Sequence, residues 1–290
     1  MKTTALALLL ALVGGQPACA ADGKLAVVAA ENFYGDIARQ IGGDRIDVVS
    51  IMNNPDQDPH LFETTPGVVR QIADARIVIL NGANYDPWME KLLAAAPRPG
   101  RIVISAGQLV RAKAGDNPHL WYAPATMPAV AKAIADSLSK ADSAHAGDYA
   151  ARLSAVLASL ARIGQRVVQI KAKHANEMVT ATEPVFGPMA EALGLTMRNQ
   201  RFQLAMMNDT EPSARDVAAF ENDLKQHKVK LLLYNSQVSE KLTQRLRDIA
   251  TKAKVPVVGV TETQPANMSF QDWMLGQLDA VDKALTGPSS

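Results

Sequence analysis

The chain has 290 residues, of which 48% are hydrophobic and 20% charged, with a formal net charge of +1. That length holds a sizeable core, in two domains or one large one, and its apolar fraction with near-zero net charge excludes a disordered chain. Thirty Lys+Arg against 29 Asp+Glu leave no cationic excess to neutralise phosphates, so nucleic acid is excluded as a partner on electrostatic grounds.

Residues 1–20 carry Lys2, the apolar run Ala5–Val13 and the small-residue sequence Ala18-Cys19-Ala20. This is the layout of a secretory signal peptide, and the apolar run is too short to span a bilayer. Gln16-Pro17-Ala18 lacks the aliphatic residue that acylation of Cys19 as a lipoprotein requires, so cleavage after Ala20 is expected. It removes the single cysteine, and with it any disulfide or thiolate ligand. The mature protein is expected to be periplasmic and uncharged overall.

After the signal peptide, short apolar runs alternate with longer helical patterns. Leu25–Ala30, Ile46–Met52, Ile77–Leu80 and Ile102–Ser105 read as buried strands, because they are continuous rather than alternating. Phe33–Ile41, Val68–Ala75, Trp88–Ala96 and Ala125–Ser139 carry apolar residues at helical spacing. The scheme then repeats. Met178–Ala181, Val229–Tyr234 and Val255–Val260 read as strands; Phe186–Leu193, Ala214–His227, Glu240–Ala253 and Phe270–Leu285 read as helices. Strands separated by helices of this length make a parallel sheet.

One segment breaks the alternation. From about 144 to 173 a single unbroken helical pattern runs through Tyr149, Leu153, Val156, Leu160, Ile163, Val167 and Ile170. A helix of ~30 residues spans ~45 Å, too long for one crossover in a small sheet. The expected fold is therefore α/β, with two parallel-sheet lobes, residues 22–143 and 174–290, joined by a long backbone helix over 144–173.

Ligands bind beyond the carboxyl ends of parallel strands. The loop after Met52 contains Asp58-Pro59-His60-Leu61-Phe62, and the loop after Ser105 contains Asn117-Pro118-His119-Leu120-Trp121. The same phrase stands twice, and it takes up two of only five histidines. Proline stiffens each loop and biases the residue before it to extended geometry. The loop after Ala181 holds Glu183, ahead of a proline suited to a first helical turn and at the positive end of a helix dipole. The loop after Val260 holds Glu262. Two imidazoles and two carboxylates, His60, His119, Glu183 and Glu262, make a donor set for one first-row divalent ion such as zinc, manganese or iron. The two carboxylates neutralise the ion, which makes its burial tolerable. Glu63, three residues after His60, reads as a residue that orients the site. His174 and His227 read as helix-terminal residues that favour the dipole, and Met206-Met207 as loop packing.

These stretches resemble the periplasmic metal-binding proteins of ABC importers for zinc and manganese. The resemblance runs through Asp58-Pro59-His60 to Glu63, Ala73-Asp74-Ala75, Asn81-Gly82, Asn117-Pro118-His119-Leu120-Trp121 and the helix with Tyr149. It continues through Glu183, Gly194-Leu195, Glu211-Pro212-Ser213 and Val255-Pro256-Val257, and ends at Glu262. It implies two α/β lobes on a rigid helix, an ion held in the cleft between them, and delivery of that ion to a membrane permease. It assigns His60 and His119 to the first two ligand positions, Glu183 to the third and Glu262 to the fourth, where the family most often has Asp. The His-rich loop that often accompanies the zinc proteins is absent between Arg111 and Asn117. The chain is expected to act as a monomeric binder and not as an enzyme. The alternatives are a metal-dependent hydrolase, and a binder of a chelated metal or an adhesin on the same scaffold. A hydrolase keeps an open coordination position, whereas four protein ligands close the shell. A chelate needs a cationic, aromatic cleft that these loops lack.

Overall fold

A computed structural model describes residues 23–54, 62–238 and 240–287. The expected signal peptide and His60 lie outside the described residues. The first lobe runs β1 (Leu25–Glu31), α1 (Asn32–Gly42), β2 (Ile46–Met52), α2 (Pro66–Asp74), β3 (Ile77–Leu80), α3 (Pro87–Ala95), β4 (Ile102–Ser105), α4 (Ala106–Val110) and α5 (Thr126–Ala141). The long helix is α6 (Ala146–His174). The second lobe follows with β5 (Met178–Ala181), α7 (Gly187–Ala192), β6 (Thr196–Arg198), α8 (Gln200–Met207), α9 (Ala214–Lys225), β7 (Leu232–Asn235), α10 (Lys241–Lys252), β8 (Val257–Val260) and α11 (Phe270–Thr286).

Each lobe holds a four-stranded sheet, ordered β2-β1-β3-β4 and β6-β5-β7-β8, and every recorded strand pair is parallel. Both faces of the first sheet are covered, which is why its strands are continuous apolar runs. Val27, Ala29, Ile77 and Ile79 pack with α1, α5 and α6, while Val28, Ala30, Val78 and Leu80 pack with Ile72 and Met89 of α2 and α3. The second sheet behaves alike, with Val179, Leu233 and Val260 on the inner face and Leu232 facing Phe202, Phe220 and Leu246.

The helix α6 does more than join the lobes. Its stripe Tyr149, Val156, Leu160, Ile163, Val167 and Ile170 is buried in one apolar cluster that takes residues from both lobes, including Trp121, Tyr122, Phe186 and Trp273. Each such side chain contributes about 1.5–3 kcal/mol on burial, so the lobes share a core. Polar ties run the same way. Asn32 and Gln264 exchange two hydrogen bonds, Asp36 accepts from the Phe270 N–H, and Gln271 reaches both Gln40 and Ser159.

Several elements depart from the sequence reading. The strands expected at Val229 and Val255 begin at Leu232 and Val257, because the residues before them are the run-ins that follow α9 and α10. The short edge strand β6 was not expected, as Thr196-Met197-Arg198 is no apolar run. Met206-Met207 closes a helix, α8, with Met206 in the second-lobe core. His227 lies beyond the end of α9 in the left-handed region, at φ 52°. His174 ends α6 but is buried between Asp282 and Glu177, with Nε2 at 3.0 Å and Nδ1 at 3.4 Å from their oxygens. It is a histidine of the last helical turn that is also paired.

Candidate metal site

His119 stands just before a turn of 3-10 helix, Leu120–Tyr122, and its side chain is fully buried. Asn117 sets its tautomer. The Asn117 Nδ2 donates to the Pro184 carbonyl at 2.7 Å, which can only accept, so Oδ1 is the free acceptor on the other side. That oxygen takes the His119 backbone N–H at 3.0 Å and lies 2.7 Å from His119 Nδ1. Nδ1 therefore carries the proton, and Nε2 presents a lone pair. Among the described residues no hydrogen bond reaches that Nε2. The Asn117 amide passes directly over Gly187, where a Cβ would stand 2.6 Å from Nδ2.

The second lobe contributes two buried carboxylates. Glu183 precedes a 3-10 turn, Pro184–Phe186, and makes no capping hydrogen bond to it. Its carboxylate turns instead to Asn235, the last residue of β7, whose Nδ2 donates to Glu183 Oε2 at 3.1 Å and to Glu262 Oε1 at 2.7 Å. One amide thus holds both acids. Gln237 accepts the backbone N–H groups of Glu262 and Thr263 and donates to Thr263 Oγ1, which shapes the turn after β8.

The two halves meet at His119 Nε2 and Glu262 Oε2, 3.5 Å apart with neither side chain exposed. Tyr85 of the first lobe donates its hydroxyl to the same Glu262 oxygen at 2.8 Å. Burial, then the charge of Glu262, push its phenol well above the ordinary range, so it remains an O–H donor. The rings of Tyr85, Trp121 and His119 pack edge to face, with centroids 4.8 to 5.8 Å apart, and fix the imidazole plane. An imidazole nitrogen facing a carboxylate oxygen at this distance is stable only with positive charge between them, a proton or a metal ion. Metal–N and metal–O bonds of about 2.0–2.2 Å at a tetrahedral angle put two ligand atoms about 3.4 Å apart. The gap between His119 and Glu262 has that width, and nitrogen with carboxylate oxygen suits a divalent transition metal.

Tyr85 rides on a loop of unusual backbone. Gly82, Ala83 and Asn84 all have positive φ, at 67°, 50° and 64°, a conformation that costs non-glycine residues free energy. Asp86 compensates by accepting both the Asn81 and Gly82 N–H groups at 2.7 Å. Asn81 in turn donates to the Pro118 carbonyl, next to His119, and accepts from Tyr34. Under this loop lies Glu31, fully buried at the end of β1, with its carboxyl against that of Asp86. Among the described residues no donor reaches the Glu31 oxygens. Burial first, and then Asp86, hold Glu31 well above the usual carboxylate range, and burial pushes Asp86 up to about 6 despite its backbone donors. Burial and the neighbouring Asp86 thus favour the protonated form of Glu31.

Of the four expected ligands, the structure brings His119 and Glu262 within 3.5 Å and ties Glu183 to Glu262 through the Asn235 amide, while His60 lies outside the described residues. Glu63 is exposed on the approach to α2. The residues that sequence reasoning missed are Tyr85, Asn117, Asn235 and Gln237. A signal existed for two of them. In each sheet the strand order reverses between the first and third strands of its lobe, β1/β3 and β5/β7, where ligands gather. The ends of β3 and β7 lead to Tyr85 and Asn235.

Residues 27–284 match the family described as zinc-uptake complex component A periplasmic, ZnuA. The metal ABC transporter substrate-binding lipoprotein FimA of Streptococcus parasanguinis is 26% identical, over 97% of this chain and 97% of its own length. The manganese ABC transporter substrate-binding lipoprotein PsaA of Streptococcus pneumoniae is 25% identical, again over 97% of each. The periplasmic zinc binding protein TroA from Treponema pallidum superposes with a TM-score of 0.77 at 21% identity, over 91% of this chain and 99% of that one. This last likeness is one of fold.

Proposed function

The chain belongs to the ZnuA family of periplasmic zinc-uptake components, and on that premise we propose that it captures one divalent transition-metal ion outside the cytoplasmic membrane. The ion is zinc or manganese, with iron within the range of the donor set, and it passes to the membrane permease of an ABC importer. The ligands are His60, His119, Glu183 and Glu262. The protein acts as a monomer, is exported by a signal peptide cleaved after Ala20, and catalyses no reaction. Its working units are lobes 22–143 and 174–290 on the helix 144–173. No helix among the described residues is long and apolar enough to cross a membrane.

The observation that carries this reading is the 3.5 Å gap between His119 Nε2 and Glu262 Oε2, closed to solvent and spanning the two lobes. The relatives support the range of ions, since FimA is named for a metal and PsaA for manganese. Native mass spectrometry of chelator-stripped protein titrated with zinc and with manganese tests it. One ion per chain is expected, lost in His119→Ala. Wild-type stoichiometry and affinity in a His119→Ala, Glu262→Ala double variant would remove the reading.

A further inference from the structure

Tyr85 is the one side chain of the first lobe that donates to a candidate ligand of the second, among the hydrogen bonds recorded between described residues. Its position is over-determined. Three left-handed residues turn the loop toward the cleft, Asp86 pins the loop's start, and the phenol ring is wedged against Trp121 and His119. A phenylalanine would fill the same ring space, so the hydroxyl is there for its hydrogen bond. That bond falls on Oε2, the Glu262 oxygen that faces His119, while Oε1 is taken by Asn235. Each carboxylate oxygen has two lone-pair directions. With a recorded donor on each, and these two donors arriving from different lobes, the carboxylate is held against free rotation to offer both oxygens to one ion.

Resting on the ligand assignment above, we propose that Tyr85 is a positioning residue that confines Glu262 to one-oxygen binding and so biases the site toward a four-coordinate ion, zinc, over manganese. Zinc closes a tetrahedral shell with four donor atoms. Manganese favours a larger, oxygen-rich shell, which here requires a carboxylate to bind through both oxygens. Removing the hydroxyl takes this donor from Oε2 and loosens the hold against that mode.

The test is Tyr85→Phe, read by competition binding of zinc and manganese and by the visible spectrum of the cobalt(II)-loaded protein. Outer hydrogen-bond partners of metal ligands are worth 10–100-fold in affinity. Zinc affinity should fall about tenfold and manganese affinity by less, so the zinc-to-manganese ratio drops. The intense cobalt bands of a tetrahedral site, which lacks an inversion centre, should weaken as coordination number rises. Tyr85→Leu also lacks the hydroxyl and must lower the ratio likewise, so the result does not hang on one variant's folding, which far-UV circular dichroism checks. In a Glu262→Gln background, exchanging Tyr85 for Phe should change nothing further. An unchanged ratio and an unchanged cobalt spectrum in Tyr85→Phe overturn the proposal while leaving Glu262 a ligand. Wild-type zinc affinity in Glu262→Gln overturns the ligand assignment and the proposal with it.

Discussion

His119 Nε2 and Glu262 Oε2 face each other across the cleft at 3.5 Å, one from each lobe and both shielded from water. Neither atom can donate to the other in the tautomer that Asn117 imposes. On the proposed ligand assignment the pair is half of a coordination shell, and the rest of the cleft serves to hold it open.

Asn117 should matter as much as a ligand. Its side chain sets the His119 tautomer and ties that loop to the Pro184 carbonyl of the other lobe. Asn117→Leu is expected to keep the fold and to weaken zinc binding by about 10–100-fold. Calorimetry on the folded variant checks this; an unchanged affinity would mean that the aromatic cage alone orients the imidazole.

Gly187→Ala separates helix propensity from site geometry. At the first position of α7 alanine is intrinsically the better residue, by up to about 1 kcal/mol, which offsets the loss of the Asn117 hydrogen bond to Pro184, so the thermal midpoint without metal should change little. The added Cβ collides with the Asn117 amide, so metal affinity should fall. Combining it with Asn117→Leu should cost little more than Asn117→Leu alone.

The Glu31–Asp86 pair makes a signed prediction about pH. Both folded-state values lie above the ordinary carboxylate values. The folded protein therefore holds more protons than the unfolded chain between about pH 4 and 6, and stability falls as pH rises through that window. Burial of Glu31 acts in the same direction. Glu31→Gln keeps a donor for Asp86 and removes the ionisable group. It should match wild type near pH 4.5 and be more stable at pH 8, with about 2–4 °C of Tm for each kcal/mol. A variant less stable than wild type at pH 8 would show that Glu31 is ionised in the fold.

Metal should stabilise a protein already folded. Each lobe has its own sheet, and the two share a core, so the metal-free chain is expected to show native circular dichroism, unlike a zinc finger. Ligand linkage then adds about 4 kcal/mol at a thousandfold excess of free ion over Kd. A thermal scan indifferent to zinc and to manganese contradicts this.

Glu183→His should favour zinc over manganese, since a borderline nitrogen replaces a hard oxygen. The imidazole must be neutral to bind. The variant's affinity should therefore fall more steeply than wild type as pH drops through ~6.5. Competition calorimetry at two pH values reads both effects.

The layout of the fold was legible because both faces of each sheet are covered, which writes strands such as Ile77–Leu80 as unbroken apolar runs. The long helix was legible from its periodic stripe alone. The edge strand β6 was not, since three residues at a sheet margin carry neither apolar run nor alternation. His119 stood out through the repeated Pro-His-Leu phrase. Tyr85 and Asn235 did not, because they act through hydrogen bonds made across 177 and 27 residues of chain, and neither type is rare near a strand end. Glu183 was legible at the head of a helical segment; its hydrogen bond from Asn235, made across the lobe rather than to the turn it precedes, was not.

The position of the ion tests the central claim most directly. Crystals loaded with zinc, with anomalous diffraction measured on either side of the zinc edge, should show one peak at about 2.0–2.2 Å from both His119 Nε2 and a Glu262 oxygen. A peak bound by only one of the two residues, or lying elsewhere in the molecule, would contradict the account.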